Sequence, residues 1–229
     1  MAHSPAKSAE IILVRHAVST ANEKGILAGR DNSVHLSDKG ERQAELLAAA
    51  LATHDIAAIF TSPIKRCRET LAPLVKIYKK KVVVESLPGV QEMDYGRWSG
   101  RKLSILSKLP LWLSIQRKPS TVRFPGGESF NEMSARAVEA VVEASRPGKT
   151  ILICSHGDVI KSLVASALGL HLDQFQRIII DPASITRLRY SNGDFSVLSV
   201  NDTHHLAPLT NASGAKKNRG HLLGGGSGQ

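Results

Sequence analysis

The chain has 229 residues, 42% of them hydrophobic and 22% charged, enough for one sizeable core with an ordinary polar surface. No apolar run nears the ~20 residues of a membrane span, and residues 1–9 hold no apolar signal core, so we expect a cytoplasmic protein with no membrane role. The formal net charge of +10 implies an acidic partner; phosphate esters fit it better than nucleic acid, because the cations are scattered and Lys216, Lys217 and Arg219 lie near the C-terminus.

Residues 1–9 read as a flexible extension. Ile11-Ile12-Leu13-Val14 is an unbroken apolar run, the pattern of a short strand buried on both faces, and it leads straight into Arg15 and His16. Residues 18–34 are polar and without period, a loop over that strand end. Ser37 offers an N-cap, with Asp38 and Glu41 in the first turn, to a helix reaching about Thr53. Ile56 to Phe60 reads as a second strand. Pro63 is expected to start the next helix, which carries Arg66, Cys67 and Thr70 and fades near Tyr78. Lys79 to Lys81 form a charged turn into a third strand, Val82 to Val84.

Residues 85–127 change character, with prolines and glycines near both ends, both tryptophans, and one short amphipathic piece from Leu103 to Leu113. This predicts a small cap beside the sheet. Glu128 to Ser145 carries Met133, Ala137, Val138, Val141 and Val142 on one helical stripe. Thr150 to Cys154 is another apolar strand, and Ser155-His156-Gly157-Asp158 follows it directly. A helix then runs from Val159 to Leu168 and stops at Gly169. Two alternating segments, Ser184 to Tyr190 and Phe195 to Val200, flank Asn192-Gly193 as a hairpin. From Leu209 the composition is Gly, Ser, Asn and Lys, expected to be a disordered tail over 209–229. Strands alternating with helices predict one α/β domain over 10–208, a three-layer α/β/α fold with a mostly parallel sheet. Cys67 and Cys154 fall in a buried helix and a buried strand and read as reduced thiols.

Two strands therefore end in histidine, at Arg15-His16 and Ser155-His156, and Arg66 opens a helix after a third. Open α/β sheets bind ligands outside the carboxyl ends of their strands, so these residues are expected to meet in one crevice. Two arginines and two histidines make a pocket for a dianion, with helix N-termini adding donors of the same sign. A metal is disfavoured, because the guanidiniums repel a cation and no carboxylate is spaced to join the histidines. What remains for a histidine among arginines is nucleophilic attack on phosphorus, since neighbouring positive charge keeps its ring neutral. The leaving oxygen then needs an acid. Glu92 and Asp94 both qualify, and composition does not choose between them.

At this point the ordered motifs resemble the histidine phosphatase superfamily, which includes the cofactor-dependent phosphoglycerate mutases. The resemblance spans about Glu10 to His205. Leu13-Val14-Arg15-His16-Ala17 is similar to the opening Arg-His-Gly signature, with alanine where glycine is commoner. Leu36-Ser37-Asp38-Lys39-Gly40, Thr61-Ser62-Pro63-Ile64-Lys65-Arg66, Glu92 through Gly100, Gly126-Gly127-Glu128-Ser129 and Ser155-His156-Gly157 follow in family order. The resemblance implies that His16 becomes a phosphohistidine, with Arg15, Arg66 and His156 binding the phosphoryl group. It makes Glu92, and not Asp94, the general acid and base. Asn22, Gly29 and Gly157 are placed with the substrate, and no cofactor or metal is implied.

Departures from the mutase pattern bear on the acceptor. The acid segment is Glu92-Met93-Asp94-Tyr95-Gly96, where mutases have Glu-Arg-His-Tyr-Gly. The mutase arginine pair has no clear counterpart beyond Gln116-Arg117-Lys118. Trp98-Ser99-Gly100 resembles the phosphatase branch, and Ala28 replaces a polar contact residue. The expectation is hydrolysis of a small phosphomonoester. A phosphoglycerate mutase-type phosphomutase is the first alternative, and a non-catalytic phospho-ligand or nucleic-acid binder the second. Trp98, Leu106 and Trp112 are the candidate specificity side chains, and the sequence leaves substrate identity and oligomeric state open.

Overall fold

The computed structural model describes residues 8–79 and 83–212. In chain order they form β1 (Ser8–Arg15), α1 (Thr20–Glu23), α2 (Asp38–Leu51), β2 (Ala58–Thr61), α3 (Lys65–Ile77), β3 (Val84–Ser86), α4 (Leu103–Leu106), α5 (Pro110–Arg117), α6 (Phe130–Ser145), β4 (Ile151–Ser155), α7 (Gly157–Ala167), β5 (Ile185–Ser191), β6 (Asp194–Asp202) and α8 (Ala207–Ala212), with short 3-10 turns between them. The strands make one sheet in the order β3-β2-β4-β1-β5-β6. The first four run parallel, and the β5–β6 hairpin is added antiparallel at the β1 edge.

Alternation along β1 divides the core into two layers. Ile12 and Val14 face α2 and α3, joining Leu47, Leu51, Leu71 and Leu74. Ile11 and Leu13 face the other side, joining Met133, Ala137 and Val141 of α6 and Val159 and Leu163 of α7. Period-two side chains on a strand buried on both faces give this three-layer α/β/α arrangement. The expected fold is the one observed.

The cap is part of the larger of these cores. Tyr95, Trp98, Leu106, Ile115 and Phe124 are buried with the α6 and α7 side chains. The hairpin turn has Asn192 at φ 56° and Gly193 at φ 91°, the double positive φ of a two-residue turn whose twist matches the strands.

Several boundaries move. Ser8 and Ala9, expected in the extension, pair with Ser191 and Tyr190 and lengthen β1; residues 1–7 lie outside the described residues. The third strand starts at Val84, where it pairs with Ile59, and part of the expected Lys79–Val84 stretch lies outside the described residues. The helix expected from Pro63 begins at Lys65. Ser129 caps α6 in a reciprocal box with Glu132, which leaves Glu128 free for another task. The loop over residues 18–34 contains α1, capped by Ser19. The tail expected from Leu209 is corrected at its start: α8 continues from a turn anchored by buried Leu206 and crosses that boundary to Ala212. Residues 213–229 lie outside the described residues.

Candidate active site

Strand register brings the candidate residues together. Arg15 of β1 lies opposite Ser155 of β4, and Thr61 of β2 opposite Cys154. The next residue on each strand is His16, His156 or Ser62, so all three leave the sheet at one level. The His16 amide donates to Ser155 O at 2.9 Å, and the Ser62 amide to Cys154 O at 2.9 Å. The two imidazoles meet edge to face with centroids 5.2 Å apart.

The hydrogen bonds assign the tautomers. His16 Nδ1 lies 2.8 Å from Ala17 O, which only accepts, so Nδ1 carries the proton and Nε2 keeps its lone pair. His156 Nδ1 accepts from Arg66 Nη2 at 3.1 Å, so its Nε2–H donates to Ser62 Oγ at 2.8 Å. Burial, then the charges of Arg66 and Arg15, hold His16 well below the usual imidazole range. Burial and Arg66 do the same to His156. Both rings are neutral at pH 7.

Arg66, in the first turn of α3, is 1% exposed. Its Nη2 donates to Gly29 O at 2.8 Å as well as to His156. Its Nη1 is buried with no hydrogen-bond partner among the described residues. A buried donor without a partner is costly, and an incoming anion would satisfy it. Arg15 is fully buried and donates from Nη1 to Ile180 O at 2.7 Å.

Glu92 supplies a carboxyl group to the same place. Its Oε1 accepts the Met93 amide at 3.0 Å, and its Oε2 lies 3.8 Å from Arg66 Nη2 and 3.7 Å from His156 Nδ1. Burial, reinforced by the buried Asp158, pushes its pKa up to about 7 against the opposing pull of Arg66. Asp94 sits differently: its side chain is 40% exposed and faces Arg30 at 3.6 Å.

A cavity open to solvent is lined by His16, Asn22, Gly29, Arg66 and Glu92 among the sequence candidates. Arg15, His156 and Gly157 are buried and do not line it. Asn22 Oδ1 accepts from the Ser19 amide and hydroxyl, which fixes the side-chain amide at the cavity edge. Gly29 sits at φ +54°, and a Cβ there would come 2.7 Å from Ser99 Oγ, so the chain needs glycine at this wall. Among the described residues no group of three or more His, Cys, Asp or Glu could hold a metal ion.

The model of the histidine phosphatase superfamily (branch 1) matches residues 11–203. The chain belongs to this superfamily. It is 30% identical over 205 residues to phosphoserine phosphatase 1 of Hydrogenobacter thermophilus, covering 86% of this chain and 94% of that one. It is 30% identical over 189 residues to a probable phosphoglycerate mutase of Photorhabdus laumondii, covering 80% and 86%. The solved structure of Bacillus stearothermophilus YhfR superposes with a TM-score of 0.80 at 26% identity, covering 86% and 99%.

This histidine phosphatase also contains site residues the sequence reading missed. Glu128 accepts from Arg30, Arg136 and the Asp94 amide. Arg30 Nε and Arg136 Nη2 both donate to Glu92 O, at 2.9 and 3.1 Å, and so clamp the backbone that carries the Glu92 carboxyl group. Tyr95 lines the cavity and donates from its hydroxyl to Asp158 at 2.8 Å. The Gly127-Glu128-Ser129 motif was visible, but nothing in one sequence pairs it with Arg30 and Arg136. Trp98 and Leu106 are corrected as specificity candidates: they are 4% and 0% exposed in the core, and neither they nor Trp112 line the cavity. Gln116, Arg117 and Lys118 do not line it either.

Proposed function

We propose that the chain hydrolyses a small phosphomonoester through a phosphohistidine at His16, without a metal. The observation that carries this reading is the neutral His16 with a free Nε2 lone pair beside the partnerless Nη1 of Arg66. Nε2 attacks phosphorus while Arg66 binds the phosphoryl oxygens; Arg15 and His156 are buried behind that pocket, where His156 accepts a hydrogen bond from Arg66 and Arg15 adds positive charge. The P–O bond breaks as the leaving oxygen takes up the proton of Glu92, whose pKa near 7 suits the exchange. Glu92, now a carboxylate, removes a proton from water as the water attacks phosphorus. The N–P bond then breaks, and inorganic phosphate leaves with His16 and Glu92 restored.

Similarity to a phosphoserine phosphatase and the absence of Gln116, Arg117 and Lys118 from the cavity lining both favour water as acceptor. Similarity to a probable phosphoglycerate mutase supports phosphoryl return to the substrate as the second reading. The buried free thiols of Cys67 and Cys154 fit a reducing compartment, and we place the protein in the cytoplasm. Among the described residues no helix is long and apolar enough to cross a membrane.

The test is phosphate release from a panel of phosphomonoesters, with chelator present and His16→Ala alongside. The proposal expects release that survives chelation and is lost in the variant. Isomerisation of 3-phosphoglycerate with little free phosphate would establish the mutase reading instead.

A further inference from the structure

The cavity lining includes an apolar set of residues that the proposed chemistry does not use. This set is formed by Ile26, Leu27, Ala28 and Leu103, with Ser19 and Asn22 at its polar edge. The two segments that supply it are joined through the backbone. The Leu27 amide donates to Arg101 O at 3.0 Å, the Gly100 amide to Leu27 O at 2.8 Å, and the Leu103 amide to Gly25 O at 2.8 Å. This short ladder fixes the apolar side chains in place.

Charge is distributed unevenly over the cavity. Among the described residues that line it, Arg66 is the one lysine or arginine, and it lies at the reacting end. Arg101 and Lys102 belong to the same ladder, but both are exposed and neither lines the cavity. Arg30 is committed to Glu128 and to Glu92 O. A carboxylate on the leaving group would therefore be set against aliphatic side chains with no lysine or arginine beside it among the described lining residues, an arrangement that disfavours the charged form. An apolar leaving group would instead cover Ile26 and Leu103 and gain by removing their surface from water.

On the phosphatase reading above, we infer that the substrate is a phosphomonoester whose leaving group is uncharged and apolar beside the ester oxygen, selected by the wall of Ile26, Leu27, Ala28 and Leu103. Phosphoserine and 3-phosphoglycerate, which carry a carboxylate close to the ester, are poor substrates of this site.

The experiment compares kcat/KM for 2-phenylethyl phosphate, phosphoserine and 3-phosphoglycerate, all esters of primary alcohols, using the full chain and Leu103→Arg. The wild type should favour 2-phenylethyl phosphate by about tenfold or more. Leu103→Arg, at a partly exposed position in the first turn of α4, should shift that ratio toward the two carboxylate esters by about tenfold. Phosphate release led by a carboxylate ester in the wild type, or a ratio unmoved in the variant, overturns the inference and leaves the phosphatase reading standing. Release from none of the three overturns both.

Discussion

The two ends of the cavity are built in different ways. At the reacting end His16 and His156 sit where they do because β1 and β4 pair in parallel register, and the anchoring strands are buried to the last apolar residue. At the aliphatic wall the position of Ile26 and Leu103 depends on a few backbone hydrogen bonds between residues 25–27 and 100–103, far apart in sequence. The first end is charged and has a partnerless donor; the second is aliphatic. A rigid sheet edge is suited to chemistry that tolerates little displacement, and variable loops are suited to selecting the leaving group.

Substitutions should separate these ends. Glu92→Gln removes the acid while keeping the shape, and should lower kcat/KM for an alkyl phosphate, which reports the phosphorylation step, by about 10² to 10⁴. The loss should shrink for a leaving group acidic enough to depart without a proton, such as p-nitrophenolate. Steady-state kinetics with both substrates checks this, and equal losses would remove Glu92 from the acid role. Arg66→Ala should cost about 10² to 10³ in kcat/KM, the range for deleting one preorganised donor from a charged site.

The cap offers a sharper contrast. Leu106 belongs to the region expected to form a small cap beside the sheet, and it is fully buried in the main core. Leu106→Ala should cost about 2–5 kcal/mol of stability in urea unfolding while the unfolding slope stays that of one cooperative unit. A separate transition for the cap would show that it folds apart from the sheet.

The pH dependence probes the reacting end alone. Glu92 must be protonated to act as acid, and burial followed by Asp158 raises its pKa to about 7. His16 is lowered well below 6.5, so it stays neutral through this range. The ratio kcat/KM, corrected for substrate ionisation, should therefore be highest on the acid side of 7 and fall about tenfold per pH unit above it. Asp158→Asn removes the second cause of the raised pKa, and its descending limb should move from about 7 toward the ordinary glutamate value of 4.5. An unmoved limb would mean that Asp158 does not act on Glu92.

The fold and the reacting end were largely legible in the sequence, for a common physical reason. Unbroken apolar strands that end in Arg15-His16 or Ser155-His156 announce both their burial and their functional edge. The residues alone narrowed the acid to Glu92 or Asp94, and only family resemblance chose Glu92, because no local pattern reveals the hydrogen bonds from Arg30 and Arg136 that hold its backbone. The wall was not legible at all. Residues 18–34 have no period, and their pairing with 100–103 is a tertiary event. Trp98 and Leu106 misled for the opposite reason: large apolar side chains in a cap fit a substrate surface or a core equally well by composition, and here they pack in the core. The tail boundary at Leu209 followed composition, whereas α8 follows from the anchoring of Leu206 just before it.

The central claim is that His16 Nε2 forms a covalent bond to phosphorus, and the most direct measurement is to trap that intermediate. The full chain would be mixed with a phosphomonoester, denatured in alkali within milliseconds, digested and mapped by mass spectrometry. The account predicts one acid-labile, alkali-stable phosphoryl group on the peptide containing His16, absent in His16→Ala and accumulating in Glu92→Gln with an acidic leaving group. Turnover with no phosphoryl group on His16 at any time point would contradict it, and would mean that water attacks phosphorus directly.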